Sequence, residues 1–146
     1  MSKIGTQSYT VDMLLRLKTA GALKVNTATL QVDGSDGIIN IGEGRVEAVI
    51  FINATAVEIA TGDEKYTITP VYSNDPTFAS GIVTGPAISL GIATSPADVD
   101  LIEGQYEFPM TNVVNGVSYG YMKLALVVAG TLATGIDFAA FLGKRK

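Results

Sequence analysis

The residues 119–142, YGYMKLALVVAGTLATGIDFAAFL, leave few options for the chain that carries them. They hold one lysine, Lys123, and one acid, Asp137. Side chains alternate between the two faces of a strand, so Met122, Leu124, Leu126 and Val128 point one way and Tyr121, Lys123, Ala125 and Val127 the other. Gly130-Thr131 breaks the run and Gly135 resets it. Ile136, Phe138, Ala140 and Leu142 then form a second apolar row, opposite Asp137. The reading is two strands joined by a turn, lying in one buried layer. A pair this apolar persists only under a second layer. The earlier chain is therefore expected to supply a facing sheet, with Val46, Ile50 and Ile52 in it.

A length of 146 residues suits one domain with a single substantial core. Charged residues make up 16%, against about 25% in typical soluble domains. Such a deficit fits surface hidden in an assembly; a well-packed β domain with a Thr/Ser-rich exterior is the plainer alternative. Cysteine, histidine and tryptophan are absent. No disulfide, no thiolate or imidazole metal site and no Ser-His-Asp or Cys-His nucleophile can be built, and neither a cofactor nor enzymatic activity is expected.

Charge is unevenly spread. Residues 1–24 carry Lys3, Arg16, Lys18 and Lys24 against Asp12, and the chain ends Lys144-Arg145-Lys146. Between them Arg45, Lys65 and Lys123 face thirteen acids, a net −10. An acidic body argues against a nucleic-acid partner, whose phosphates require a basic face. The start, MSKIGTQSYT, has no apolar core of signal-peptide length. The longest charge-free, strongly apolar run, 124–136, falls short of the roughly 20 residues that cross a bilayer, so no membrane partner is expected.

Taken in order, Val11–Lys18 alternates like a strand and also fits a short helix; the β-branched residues that follow favour an extended arm over 1–24. Leu23–Val32 reads as one strand closed by Asp33-Gly34-Ser35-Asp36-Gly37. This cluster is turn chemistry rather than a calcium loop, which needs oxygen ligands at alternate positions and a glutamate at its end. Gly42-Glu43-Gly44 is a second turn. Arg45–Asn53 alternates with Val46, Ala48, Ile50 and Ile52 inward, and Ala56–Ala60 continues it after a bend. Thr61–Glu64 is a polar turn before Tyr66–Tyr72, where Pro70 implies an edge or a bulge. The uncharged stretch Pro76–Ala97 suggests short strands at Ile82-Val83, Ile88 and Leu90–Ile92, pressed against a neighbouring subunit or the domain's own core. Asp98, Asp100, Glu103 and Glu107 are solvated acids by this reading, with no fixed separation to support glycosidase chemistry. Asn115-Gly116 is a hairpin signal. Short strands at regular spacing with no convincing helix describe an all-β, antiparallel β-sandwich with jelly-roll winding. The expected divisions are an arm at 1–24, the sandwich at 25–143 and a basic tail at 144–146.

With the strands placed, the chain resembles the jelly-roll capsid cement (decoration) proteins of tailed bacteriophages. The order VDMLLRL, VNTATLQV, IINIG, VEAVIFINATA, YTITPVYSNDPTFASG and YMKLALVVAGTLATGIDFAAFL carries the likeness over most of the chain. Ser73, Asp75 and Phe78 match one block, and Tyr121, Lys123, Leu124, Gly130 and Thr131 the other, with Lys123 where many relatives have arginine. The resemblance implies a virion structural protein on the outer surface of an icosahedral head, assembled in the bacterial host cytoplasm. It would stabilise joints between subunits of the major capsid protein, its partner, through avidity.

On that reading the basic ends face the shell, so Lys3, Ile4, Val11, Leu14, Arg16, Lys18, Lys24, Lys144, Arg145 and Lys146 are the expected capsid contacts. The uncharged run supplies homodimer or homotrimer contacts at Ile82, Val83, Ile88 and Ile92. A carbohydrate-binding β-sandwich module and a head-completion or tail subunit are the alternatives; the former is disfavoured by the lack of tryptophan platforms.

Overall fold

The computed structural model describes residues 15–59, 62–91 and 104–143. Within them the strands are β1 (Arg16–Lys18), β2 (Ala22–Leu23), β3 (Gln31–Val32), β4 (Ser35–Asp36), β5 (Ile39–Asn40), β6 (Glu47–Val57) and β7 (Lys65–Ser73). They continue as β8 (Val83–Thr84), β9 (Ile88–Leu90), β10 (Gly104–Thr111), β11 (Val113–Val114), β12 (Val117–Ser118), β13 (Tyr121–Ala129) and β14 (Ile136–Gly143). One antiparallel sheet runs β1-β14-β6-β10 with β2 also on β14; the other runs β5-β13-β7-β8 with β9 also on β7. Their inner faces share a single apolar cluster. The fold is an all-β antiparallel sandwich, as the alternation requires.

The two rows that dominate the sequence are indeed buried: Met122, Leu124, Leu126, Ile136, Phe138 and Ala140 are all at most 1% exposed. Their pairing departs from the expected hairpin. β13 pairs with β7 and β5, whereas β14 pairs with β6, β1 and β2. The two strands therefore lie in opposite sheets, and Ile50 and Ile52 share the sheet of Leu142 and Ala140. Alternation specifies which face is buried but not which edge is paired, and residues 130–135 carry the chain from one layer to the other. Gly135 makes that crossing possible. Its φ is +80°, and a Cβ there would strike the Leu23 carbonyl.

The bend expected after Asn53 is a β-bulge. Ala54 pairs with Phe138 and Ala56 with Asp137, leaving Thr55 as the extra residue. Parity shifts by one, which is why both Ala54 and Val57 point inward. Phe51 is buried on the opposite face of β6, where alternation alone predicts exposure; its ring stacks on Phe141 at 4.9 Å. Pro70 does not mark an edge strand, because β7 is flanked by β13 on one side and by β8 and β9 on the other. It sits in the gap between the two short strands, where no ladder donor is needed, and its carbonyl accepts from Gly85 N–H at 2.9 Å.

The turns follow their chemistry. Asp33-Gly34 joins β3 to β4 and Asn115-Gly116 joins β11 to β12, each with both residues at positive φ. The single strand expected over Leu23–Val32 is broken. β2 belongs to one sheet, Thr27 and Leu126 exchange two backbone hydrogen bonds with the other, and Leu30 N–H donates to the Leu124 carbonyl. This segment laces one side of the sandwich shut.

The described part of the expected arm, from Leu15 on, belongs to the sandwich. β1 pairs with β14, Leu17 is fully buried, and Leu15 packs against the core. Residues 1–14, 92–103 and 144–146 lie outside the described residues.

Candidate contact surfaces

The two sequence blocks that carry the resemblance meet in space. Ser73 pairs with Tyr121 across β7 and β13, and the loop after β7 folds back over the outer face of that sheet. Ser73 is buried; its Oγ donates to the Ser80 carbonyl at 2.8 Å and accepts from Asp75 N–H at 2.9 Å. The Asp75 carboxylate accepts from Thr77 N–H, Thr77 Oγ and Ala79 N–H at 2.8–3.1 Å. Those bonds, Thr77 N–H first, hold its carboxyl below the usual aspartate range. The caged loop forces Phe78 into the left-handed region at φ 54°, a conformation that costs a bulky residue roughly 1–2 kcal/mol. In return the ring is buried, with Lys123 Nζ 4.8 Å from its centroid, and Lys123 also donates to Thr29 Oγ at 2.8 Å. Ser73, Asp75, Phe78 and Lys123 thus form one contiguous unit.

A second carboxylate clasps the turn between β13 and β14. Glu58 Oε1 accepts from the N–H groups of Ala133, Thr134 and Gly135, each at 2.8 Å. These donors, Gly135 foremost, hold the carboxyl below its usual range. Nearby, Asp63 accepts from Thr131 N–H and Thr131 Oγ, both at 3.0 Å. Sequence reading missed both clasps, since nothing local distinguishes a glutamate that reaches another turn from one in solvent.

The expected capsid contacts divide. Lys3, Ile4, Val11, Leu14, Lys144, Arg145 and Lys146 lie outside the described residues. Arg16 is ion-paired to Asp33 at 2.7 Å. Lys24 is exposed, with Nζ 3.4 Å from the Ala133 carbonyl. Lys18 cannot serve as a surface contact. It is 4% exposed, its Nζ donates to the carbonyls of Thr19, Gly21 and Phe138 at 2.6–2.9 Å, and it lies 4.5 Å from the Phe138 ring centroid. Burial lowers its pKa and the nearby Asp137 opposes that shift. The stem of the lysine packs in the core while three carbonyls replace water at its tip.

The expected subunit contacts divide as well. Ile82 is 50% exposed and Val83 half-buried at the edge of β8, while Ile92 lies outside the described residues. Ile88 is buried in the molecule's own core, opposite Ile68. Aspartate at Ile88 would disrupt the fold before any interface.

Between the edges of the two sheets, on the side away from the laced segment, the sandwich opens into a groove of about 820 Å³. Its walls are Phe108–Thr111 of β10, Gly85–Ile88 between β8 and β9, and Val113–Asn115; Ile50, Pro70 and Tyr72 form its floor. Glu47, at the rim, is the one charged lining residue and is bonded to Arg45 at 2.9 Å. Among the described residues no group of three His, Cys, Asp or Glu side chains could hold a metal ion. No protein-family model, curated protein or solved structure matches the chain.

Proposed function

We propose that this chain is a capsid cement protein of a tailed phage, a jelly-roll virion subunit on the outside of the head that bridges joints between major capsid subunits. The observation that carries the proposal is the convergence of the two resembling blocks. Ser73 and Asp75 hydrogen-bond the loop that carries Phe78, and the Phe78 ring lies against Lys123, so what matches in sequence is also one physical unit. A bridging protein needs rigid surfaces rather than a reactive centre, because its hold comes from several modest contacts made at once.

Attachment in this reading rests on Lys3, Ile4, Val11 and Leu14, on Lys24 and on the basic tail. Arg16–Lys18 itself belongs to the sandwich, since β1 is hydrogen-bonded to β14. Opposite potentials between the basic ends and the shell would steer docking more than tighten it. Ile82 and Val83, with Ile92, are the proposed contacts of a homodimer or homotrimer.

Electron microscopy of heads with and without the protein tests the proposal. An ordered layer of density on capsomers is expected, and density confined to the tail would overturn it. Deleting residues 1–14, which leaves Leu17 and Lys18 in place, should lower occupancy on heads strongly. Equal occupancy by the truncated protein would move attachment to the sandwich loops.

A further inference from the structure

Three dipeptides in the chain place glycine after a side-chain carbonyl one methylene from the backbone: Asp33-Gly34, Asp36-Gly37 and Asn115-Gly116. In such a pair the glycine nitrogen can reach the preceding side-chain carbonyl carbon, because no Cβ of its own shields the approach. The structure separates the three. The Asp33 carboxylate is ion-paired to Arg16 at 2.7 Å, and an ionised carboxylate is a poor electrophile. The Gly37 nitrogen donates to the Leu30 carbonyl at 2.8 Å, and its Cα is wedged against the Leu17 carbonyl. Asn115 and Gly116 are both exposed, and a Cβ on Gly116 would meet nothing within 4 Å. The Asn115 amide makes no hydrogen bond among the described residues.

The other described asparagines are held. Asn26, Asn40 and Asn74 each accept a backbone N–H through their side-chain oxygen, and Asn112 is buried with its amide fully engaged. Asn53 lies in β6, between β14 and β10, where the backbone that follows it is fixed on both sides. The turn at Asn115 is held far less. β11 and β12 pair only with each other, through Val113–Ser118 and Val114–Val117. A two-stranded hairpin alone is marginally stable, so this turn can open while both five-stranded sheets stay paired.

We propose that Asn115 is a site of spontaneous self-modification, converted without an enzyme to aspartate and isoaspartate through a cyclic imide. The Gly116 nitrogen attacks Asn115 Cγ and closes a five-membered ring. The proton of that nitrogen passes to the departing amide nitrogen, which leaves as ammonia. Water then adds to either ring carbonyl and breaks its bond to nitrogen, giving aspartate or isoaspartate; nothing is oxidised or reduced. Asn115 lines the rim of the apolar groove, so the product places a new carboxylate where Glu47 is the one charged lining residue. The inference goes beyond the capsid role and holds or fails without it.

Ageing the full-length, folded protein in mildly alkaline buffer tests it, read by ion exchange and peptide mass spectrometry. A more acidic species should accumulate, with a gain of about 1 Da confined to the peptide that carries Asn115, the thermolabile position. Fragmentation should show aspartate and isoaspartate together at that position. Asn115→Gln, whose longer side chain disfavours the ring, should lose the gain, and Asn115→Asp should co-elute with the aspartate product. A gain that appears first at Asn53 or Asn74 overturns the proposal, as does an unslowed gain in Asn115→Gln. Absence of the gain at Asn115 in the folded protein, with its appearance there in urea, would show that the turn protects the residue and would equally overturn it.

Discussion

The two long sides of the sandwich are closed in different ways. On one side the chain itself crosses between the layers. β2 pairs with β14, Thr27 pairs with Leu126 of β13, and Leu30 donates to Leu124. Gly37 donates to the Leu30 carbonyl and packs so tightly that a Cβ would meet the Leu17 carbonyl oxygen at 2.5 Å. Leu17 and Leu30 are fully buried there, and Lys18 caps three carbonyls. On the other side β10 and β8 face each other across the groove, which Pro86, Pro109, Phe108 and Met110 line. Backbone hydrogen bonds across the first seam make it part of the folding unit. Among the described residues no backbone hydrogen bond joins β10 to β8 or β9 across the second seam.

This contrast should be easy to break on the laced side and hard to break on the open one. Phe138→Ala removes a buried ring from beneath Lys18 and should destabilise by roughly 3–5 kcal/mol, read from denaturant titration. Ile82→Ser, at the exposed edge of the open side, should stay within about 0.5 kcal/mol of wild type. Comparable losses in the two variants would mean that the open edge is as integral to folding as the laced one.

Lys18→Met sharpens the comparison, because it keeps the apolar stem and deletes only the ammonium. Three carbonyls then lose their donor, and a loss of about 1–3 kcal/mol is expected near neutral pH. The lowered pKa of Lys18 gives the sign of its pH dependence: between the folded value and the ordinary value of 10.5, the unfolded chain binds more protons. Its contribution therefore improves as pH rises through that window. A wild-type/variant difference independent of alkaline pH would contradict this account.

The smallest expected effect concerns acid. Glu58 and Asp75 both have depressed carboxyl pKa values in the folded state. Their contribution is present above the unfolded values of 4.5 and 3.8 and fades as pH falls through the folded ones. Glu58→Gln should thus shift the stability profile little at neutral pH beyond the loss of its own clasp, and should flatten the acid limb. Thermal melts of both proteins from neutral to acid pH would show it; an unchanged acid limb would remove Glu58 from the clasp.

Much of the fold was legible because period-two alternation and turn chemistry are local. Met122 to Leu126 and Ile136 to Leu142 announce buried faces, and Asp33-Gly34 and Asn115-Gly116 announce tight turns, whatever their partners. The contact residues were less legible. Lys18 looks like solvated charge until the Phe138 carbonyl, 120 residues away, joins the local carbonyls of Thr19 and Gly21 around it, and Ile88 looks like an interface residue until Ile68 is found opposite. The Phe78–Lys123 unit was visible only as two separate stretches.

What the sequence determined by itself is the all-β class, the buried rows and the positions of the turns, since each depends on neighbours within a few residues. Only the tertiary structure decided that β13 and β14 face each other from opposite sheets, and that one seam is laced and the other left open. Strand pairing and seam closure are set by which edges meet across the whole chain, and alternation carries no information about edges.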